Sequence, residues 1–335
     1  MVASNHFDLK ISLQPNSFHR HVMNGLTTQT IDTSPVSAES VSPSAPRARW
    51  CRVISEWCEM VKIEHTIFAL PFALSGMVLA QPTLPAWTVV MWTILAFAGA
   101  RAAAMTLNRL IDRELDARNP RTTTRAIPAG RIRPSQASLF AIASFALMLF
   151  SASHLPPLCL MLSPIAIFWL CFYSYTKHFT WACHLVLGIA LGGAALGGWI
   201  AAGGSLFQLA PWFLSLAVST WVAGFDIIYA CQDVDFDRTE HLFSIPSTFG
   251  IAKALTISSQ LHVITVGALG ALGVALGLGT IYWIGIIIVA IMLAWEHSLV
   301  SPRDLARVNA AFFNINGCLS IAAFVAIIAD RLCCF

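Results

Sequence analysis

The feature that most constrains this chain is a series of apolar stretches that follow one another closely from residue 64 onward. A helix needs about 20 mostly apolar residues to cross a bilayer, and helices satisfy their backbone hydrogen bonds internally. Each stretch is near that length. The sequence therefore predicts an all-α integral membrane protein with nine transmembrane helices. They cover residues 64–80, 86–108, 136–153, 157–176, 181–202, 209–231, 254–276, 280–299 and 308–329.

The composition excludes a soluble domain. Of the 335 residues, 57% are hydrophobic and 11% are charged, whereas soluble domains carry about 25% charged residues. The net charge of +3 is too small to indicate a nucleic-acid partner. The nine cysteines include no C-x-x-C pair and no Cys/His zinc spacing. Neither a disulfide framework nor a zinc site is therefore predicted.

The basic residues predict the orientation of the helices. The connections after the second, fourth, sixth and eighth stretches carry Lys or Arg, whereas those after the first, third, fifth and seventh carry none. Basic residues are enriched in cytoplasmic loops. The N-terminus and the basic connections are therefore expected in the cytoplasm, and the C-terminus outside.

Residues 1–49 differ from the rest because they are rich in Ser, Thr, Pro and Asn and lack an apolar run. This predicts a disordered cytoplasmic extension before a membrane domain over residues 50–335. We expect a multi-pass protein of the bacterial plasma membrane. A mitochondrial inner-membrane protein is the alternative, but Asp8, Asp32 and Glu39 argue against a transit peptide.

A polar stripe runs along the second predicted helix into the connection that follows. Arg101, Asn108, Asp112 and Asp116 are spaced 7, 4 and 4 residues apart, which places them on one side of a helix. Carboxylates one turn apart repel each other. A bound cation would reverse that repulsion, so the stripe predicts half of a cation site.

The sixth predicted helix ends in a second stripe with matching spacing. Asp226, Asp233 and Asp237 are 7 and 4 residues apart. Charged groups inside a membrane cost at least roughly 2.5–3.5 kcal/mol each, and for that reason usually mark function. Carboxylate and amide oxygens without clustered Cys or His favour Mg²⁺, which commonly completes its shell with substrate phosphates. Two facing stripes suit a diphosphate, with nearby cations to neutralise the departing charge; candidates are Lys177, Arg121 and Arg125.

Six motifs stand out over about residues 53–332. They are N-x-x-x-D-x-x-x-D at Asn108/Asp112/Asp116, D-x-x-x-D at Asp233/Asp237, Arg101 seven residues before the Asn, R-T-x-x-R at Arg121–Arg125, Y-x-x-x-K at Tyr173/Lys177, and D-x-x-Y-A at Asp226/Tyr229. Together they resemble the motifs of UbiA-type membrane prenyltransferases. The sequence from Tyr229 to Gly250 is most similar to the 4-hydroxybenzoate polyprenyltransferase-like subgroup.

The resemblance implies a nine-helix bundle with a polar cap on the cytoplasmic side and a cavity open to the lipid. It implies that Mg²⁺ bound by the two aspartate motifs holds a polyprenyl diphosphate, whose ionisation gives an allylic cation that an aromatic carbon attacks. The resemblance also implies that the leaving group is contacted by Lys177, Tyr173, Arg121 and Arg125. The metal is held by Asn108, Asp112, Asp116, Asp233 and Asp237, of which the four aspartates are catalytic.

The resemblance also implies an aromatic acid as the acceptor. Arg101 would pair with its carboxylate, and Asp226 would position it or take a proton, with Tyr229 also in the substrate site. 4-Hydroxybenzoate is the first expectation, and a naphthoate-type menaquinone precursor of the futalosine route is the alternative. The other partner is the lipid bilayer; no obligatory protein partner is inferred.

Two other functions compete with this prediction. A membrane CDP-alcohol phosphotransferase also uses Asp spaced by four, but it requires a D-G-x-x-A-R stretch that this sequence lacks. A transporter would place ionisable groups near the bilayer midplane at broken helices. Here most of them lie at one end of the predicted helices, which favours the prenyltransferase.

Overall fold

The computed structural model describes residues 46–333, and these form helices joined by short connections. The predicted disordered extension lies almost wholly outside this range. The all-α class is confirmed. The helices are α1 (Pro46–Val61), α2 (Ile63–Leu79), α3 (Trp87–Ile111), α4 (Arg113–Arg118), α5 (Pro134–Ala152), α6 (Pro157–Tyr175), α7 (Cys183–Ala201), α8 (Ala210–Ala230), α9 (Val234–Thr239), α10 (Ile245–Phe249), α11 (Ile251–Leu276), α12 (Thr280–Ser298), α13 (Val308–Ala310) and α14 (Asn316–Cys333).

Eight helical segments in the described part of the chain are long and apolar enough to cross a membrane. They correspond to α3, α5, α6, α7, α8, α11, α12 and α14, which confirms an integral membrane fold. The predicted first crossing is α2, whose apolar part, Ala69–Leu79, is shorter and contains Pro71. The count of nine crossings and the orientation of the termini therefore stay predictions.

Both polar stripes lie on interrupted helices. We expected the first stripe to continue along one helix to Asp116, but α3 ends at Ile111 and α4 begins at Arg113. Asp112 lies at the break with φ −86° and ψ 3°. The second stripe is interrupted in the same way, because a 3₁₀ turn over Cys231–Asp233 separates α8 from α9. The regular helix is therefore interrupted at Asp112 in the first stripe and at Asp233 in the second.

Helices α7 and α8 approach each other closely because glycines replace side chains between them. A Cβ on Gly188 or Gly192 would collide with Ser219 of α8. On another side of α7, a Cβ on Gly198 would collide with the Ala73 carbonyl of α2. Small residues permit such contacts in a membrane, where helices associate by van der Waals packing rather than by the hydrophobic effect.

A largely buried polar cluster joins α8, α11, α12 and α14 within the bundle. Glu296 is fully buried and accepts a hydrogen bond from Asn316 Nδ2 at 2.8 Å. Asn316 Oδ1 accepts one from Trp221 Nε1 at 2.9 Å. A ring nitrogen of His262 lies 2.9 Å from one of His297. These contacts tie four helices together through polar groups that lipid would not satisfy.

Candidate active site

A cavity of about 200 Å³, which we call the pocket, lies where α3, α6 and α8 end and α4, α7 and α9 begin. Its wall contains every predicted site residue except Arg101. The sequence places these residues on separate helices, and the fold brings them to one cavity. The predicted residues in its wall are Asn108, Asp112, Asp116, Arg121, Arg125, Tyr173, Lys177, Asp226, Tyr229, Asp233 and Asp237.

Arg101 is outside the described lining of the pocket. It is partly buried on α3, seven residues before Asn108, and a rise of 1.5 Å per residue puts it about 10 Å further along the helix. Its position is thus deeper in the bundle than the two aspartate motifs. Its predicted role at the acceptor carboxylate stays a prediction.

The first aspartate motif is buried and paired with basic side chains. Asp112 is 3% exposed and Asp116 6%. Lys177 Nζ lies 2.6 Å from Asp112 Oδ2, and Arg125 lies 2.6 Å from Asp116 Oδ1. Burial raises the pKa of the Asp112 carboxyl, and the Lys177 ammonium opposes that rise. Asn108 Nδ2 also donates to Asp112 Oδ2 at 3.2 Å.

The second motif is held by Arg121, whose contacts with Asp233 we call the clamp. Arg121 Nε donates to Asp233 Oδ1 at 2.9 Å, and its other nitrogens contact Asp233 Oδ2 and the Tyr229 hydroxyl. Burial alone would lower the pKa of Arg121, but its bonds to Asp233 offset that effect and the net direction is upward. Ser244 Oγ donates to Asp237 Oδ2 at 2.8 Å. This motif is only partly buried.

The donor set fits a hard divalent cation. Asp112 Oδ1 and Asp116 Oδ2 are buried and accept no hydrogen bond within the described residues, although His178 Nε2 lies 3.6 Å from the first and Arg109 4.0 Å from the second. A buried acceptor without a hydrogen bond is costly. Between residues 46 and 333, however, no three His, Cys, Asp or Glu side chains are gathered closely enough to form a complete metal site. A few carboxylates that leave room for waters and phosphate oxygens are the usual arrangement for Mg²⁺.

The structure adds four residues that the sequence analysis did not assign to the site. Ser244 is near Asp237, as above. Arg109, one of the basic residues that follow the second apolar stretch, lines the pocket 4.0 Å from Asp116. Asn119 Nδ2 donates to Asp233 Oδ1 at 3.3 Å. His184 places Nδ1 2.7 Å from Asp226 Oδ2. Arg109 and Asn119 lie beside the first motif in the sequence, whereas His184 and Ser244 are each seven residues from an assigned residue. Spacing alone does not reveal contacts between different helices.

Comparison with known proteins decides the family. A model of the UbiA prenyltransferase family matches residues 69–318. The chain belongs to this family. It is 31% identical to a 4-hydroxybenzoate octaprenyltransferase of Sodalis glossinidius, an alignment that covers 86% of this chain and 98% of the relative. A relative with the same name in Aromatoleum aromaticum is 32% identical over 69% of this chain and 77% of its own length.

Solved structures share the fold of this family member. The apo structure of a UbiA homologue from Aeropyrum pernix is 35% identical and superposes with a TM-score of 0.74, covering 80% of this chain and 98% of that one. A UbiA homologue from Archaeoglobus fulgidus bound to DMAPP and Mg²⁺ is 22% identical, with a TM-score of 0.63 over 82% and 99% of the two chains. At that identity the second comparison shows the fold alone.

Proposed function

We propose that this protein transfers a polyprenyl group from polyprenyl diphosphate to the ring of 4-hydroxybenzoate, with Mg²⁺ as cofactor. One observation carries the proposal: aspartates from two helix breaks and basic side chains from three segments surround a single cavity. Lys177, Arg125 and Arg121 each pair with one of these aspartates. Family membership and the curated relatives make the chain an aromatic prenyltransferase.

The ion pairs suggest how the site accepts its substrate. When Mg²⁺ is bound, it neutralises charge on the diphosphate and on the departing group. The aspartates would hold the metal, and Lys177, Arg121 and Arg125 would turn from the aspartates to the diphosphate oxygens. Each cation then exchanges one anionic partner for another, so binding leaves no charge unpaired in a poorly hydrated pocket. Tyr229 and Tyr173 line the same cavity and would contact the substrate.

The acceptor is inferred from the relatives and from Arg101. The curated relatives are named for 4-hydroxybenzoate, and these names favour it over a naphthoate of the futalosine route. Arg101, deeper in α3, would pair with the acceptor carboxylate, while the hydroxyl-bearing part of the ring approaches the pocket. A transporter is disfavoured because the predicted site residues other than Arg101 surround one cavity at helix ends, whereas a transporter would place its site near the bilayer midplane.

We further propose that α2 is the ninth crossing and that the pocket faces the cytoplasm of a bacterial cell. The connections next to the pocket contain the chain's richest run of arginines, between Arg109 and Arg133. The positive-inside rule assigns such connections to the cytoplasm.

The activity is tested on the full-length protein in detergent with a polyprenyl diphosphate, 4-hydroxybenzoate and Mg²⁺. We expect prenylated acid and diphosphate in equal amounts, and loss of both when a chelator removes the metal. Absence of diphosphate release with every aromatic acid tried would reject the proposal. Ion flux through liposomes containing the protein, lost in Asp112→Ala and Asp233→Ala, would favour a transporter instead.

The role of Arg101 has a separate test. Arg101→Ala should raise KM for 4-hydroxybenzoate about 10- to 100-fold, because a buried carboxylate loses its charged partner. KM for the diphosphate should not change. An equal loss with a phenol that lacks the carboxylate would contradict the assignment.

A further inference from the structure

We propose that His184 is a positioning residue for the acceptor hydroxyl, acting through Asp226. This inference depends on the proposed function, because it requires an acceptor with a ring hydroxyl. His184 is 4% exposed in the first turn of α7, and Asp226 lies on α8. Both line the pocket. Neither the aspartate motifs nor the diphosphate contacts described above involve His184.

The contact between the two side chains has a defined direction. His184 Nδ1 is 2.7 Å from Asp226 Oδ2. An ionised carboxylate only accepts hydrogen bonds, so Nδ1 carries the hydrogen and donates it. This bond fixes one carboxylate oxygen on the protein side. The Asp226 side chain is 25% exposed while that of His184 is 5% exposed. The accessible part of the pair is therefore the carboxylate, and the imidazole lies behind it.

Nε2 of His184 supports a role behind the carboxylate rather than at the substrate. It is closed to solvent and has no hydrogen-bond partner in the described part of the chain. A ring nitrogen in such a place does not reach an acceptor in the pocket. The ring therefore acts as a fixed donor to Asp226.

Helix packing explains why this donor is held firmly. His184, Gly188 and Gly192 are spaced four residues apart, so they share one face of α7. The two glycines bring that face against Ser219 of α8. Asp226 lies seven residues after Ser219, on the same side of α8. Close contact two turns away thus sets the distance between the imidazole and the carboxylate.

In the proposed reaction, the Asp226 carboxylate accepts and returns the hydroxyl proton of the acceptor. As the C–O bond of the prenyl diphosphate breaks, the diphosphate leaves with the electron pair. A ring carbon beside the hydroxyl forms the new C–C bond, and the hydroxyl proton passes to Asp226 Oδ1. The neutral dienone then loses the ring proton to water and recovers its hydroxyl proton from Asp226. One proton is released for each prenyl group, and His184 keeps Oδ2 occupied so that Oδ1 faces the acceptor.

The test uses variants that separate the donor from the shape of the ring. Asn in place of His puts an amide N–H near the position of Nδ1, whereas Leu fills the space without a donor. We expect His184→Leu to lower kcat with 4-hydroxybenzoate about 100-fold, as a misplaced reacting group does, with an unchanged KM for the diphosphate. His184→Asn should stay within about threefold of wild type. His154→Asn, which alters an exposed histidine stacked on Trp92 away from the pocket, should have no effect.

A second acceptor distinguishes a variant that is impaired in proton transfer from one that is merely misfolded. In a 4-hydroxybenzoate with fluorine beside the hydroxyl, the more acidic hydroxyl needs less help to lose its proton. The ratio of wild-type to His184→Leu rates should therefore shrink with this acceptor. An equal deficit with both acceptors, or equal impairment of the Asn and Leu variants, would overturn the proposal. So would full activity of Asp226→Asn.

Failure of the proposed function would be recognised separately. Wild type that prenylates no hydroxybenzoate refutes that function, whereas an active wild type with a fully active His184→Leu refutes only the present inference. Fluorine NMR of the fluorinated acceptor, bound without prenyl diphosphate, tests the inference without turnover. We expect its chemical shift to differ between wild type and His184→Leu but to agree between wild type and His184→Asn. Identical shifts in all three proteins would overturn the inference.

Discussion

The two aspartate motifs look alike in the sequence and differ in the structure. Asp112 and Asp116 are 3% and 6% exposed, and each keeps one buried oxygen without a hydrogen-bond partner among the described residues. Asp233 and Asp237 are partly exposed. Asp233 is bonded through both oxygens by Arg121, and Asp237 is bonded by Ser244.

The difference indicates the order in which metal and substrate bind to the two motifs. In the first motif, Lys177 pairs with one oxygen of Asp112, and Arg125 pairs with one oxygen of Asp116. The other oxygen of each carboxylate is buried and accepts no hydrogen bond among the described residues, so it is available to a metal without the loss of an existing hydrogen bond.

In the second motif, Arg121 occupies both oxygens of Asp233, so that carboxylate becomes available only when the clamp opens. A diphosphate that attracts Arg121 would open it. We therefore expect the first motif to bind metal alone and the second to bind metal together with the substrate.

The largest effect is expected at the first motif. Asp112→Asn should lower kcat/KM by about a thousandfold or more, the size of losses when charge stabilisation at a reacting centre is removed. Steady-state assays with the diphosphate and 4-hydroxybenzoate measure it. Asp235→Asn is the matched control, since Asp235 is exposed on α9 and lies outside the pocket lining. A loss of less than tenfold in Asp112→Asn would remove the distinction between the motifs.

Removal of the clamp is expected to change the affinity for metal and the affinity for diphosphate in opposite directions. Arg121→Gln removes the cation that occupies Asp233, so Mn²⁺ or Mg²⁺ alone should bind more tightly. The diphosphate should bind about 10- to 100-fold more weakly, because its charged partner is gone. Calorimetric titration of metal alone and of diphosphate with metal measures both changes.

The control for the clamp is Arg118→Gln. Arg118, the last residue of α4, pairs at 2.6 Å with Glu240, which follows α9, and is largely exposed; such pairs contribute little. It should alter neither affinity appreciably. Weaker binding of both metal and diphosphate in Arg121→Gln would mean that the clamp stabilises the site rather than closing it.

The smallest effect is expected at Ser244. Ser244→Ala removes a hydrogen bond to the Asp237 carboxylate and should raise the metal concentration needed for half-maximal activity by about tenfold, in line with hydrogen bonds to charged groups. Ser244 also caps α10 with Ser247. Ser247→Ala disturbs the cap but not Asp237, so it should leave the metal dependence unchanged. Equal effects of the two variants would assign Ser244 to the cap alone.

Much of this site was predictable because helical spacing is a local property. Residues 7 and 4 apart share a helix side whatever the rest of the chain does, which identified Asp112 and Asp116, and likewise Asp233 and Asp237, as pairs. The apolar stretches predicted the membrane fold for the same local reason. The breaks at Asp112 and at Cys231–Asp233 were not predicted, because the stripe pattern continues through them while the backbone does not.

The partners across helices were decided only by tertiary structure. The sequence by itself determined that the chain spans a membrane, that it carries two acidic stripes, and which basic residues were available. Which basic residue pairs with which aspartate depends on how helices distant in the chain approach. The contact of His184 with Asp226 spans 42 residues and exists because glycines allow α7 and α8 to pack closely. Local spacing specifies the face of a helix, whereas packing specifies what that face meets.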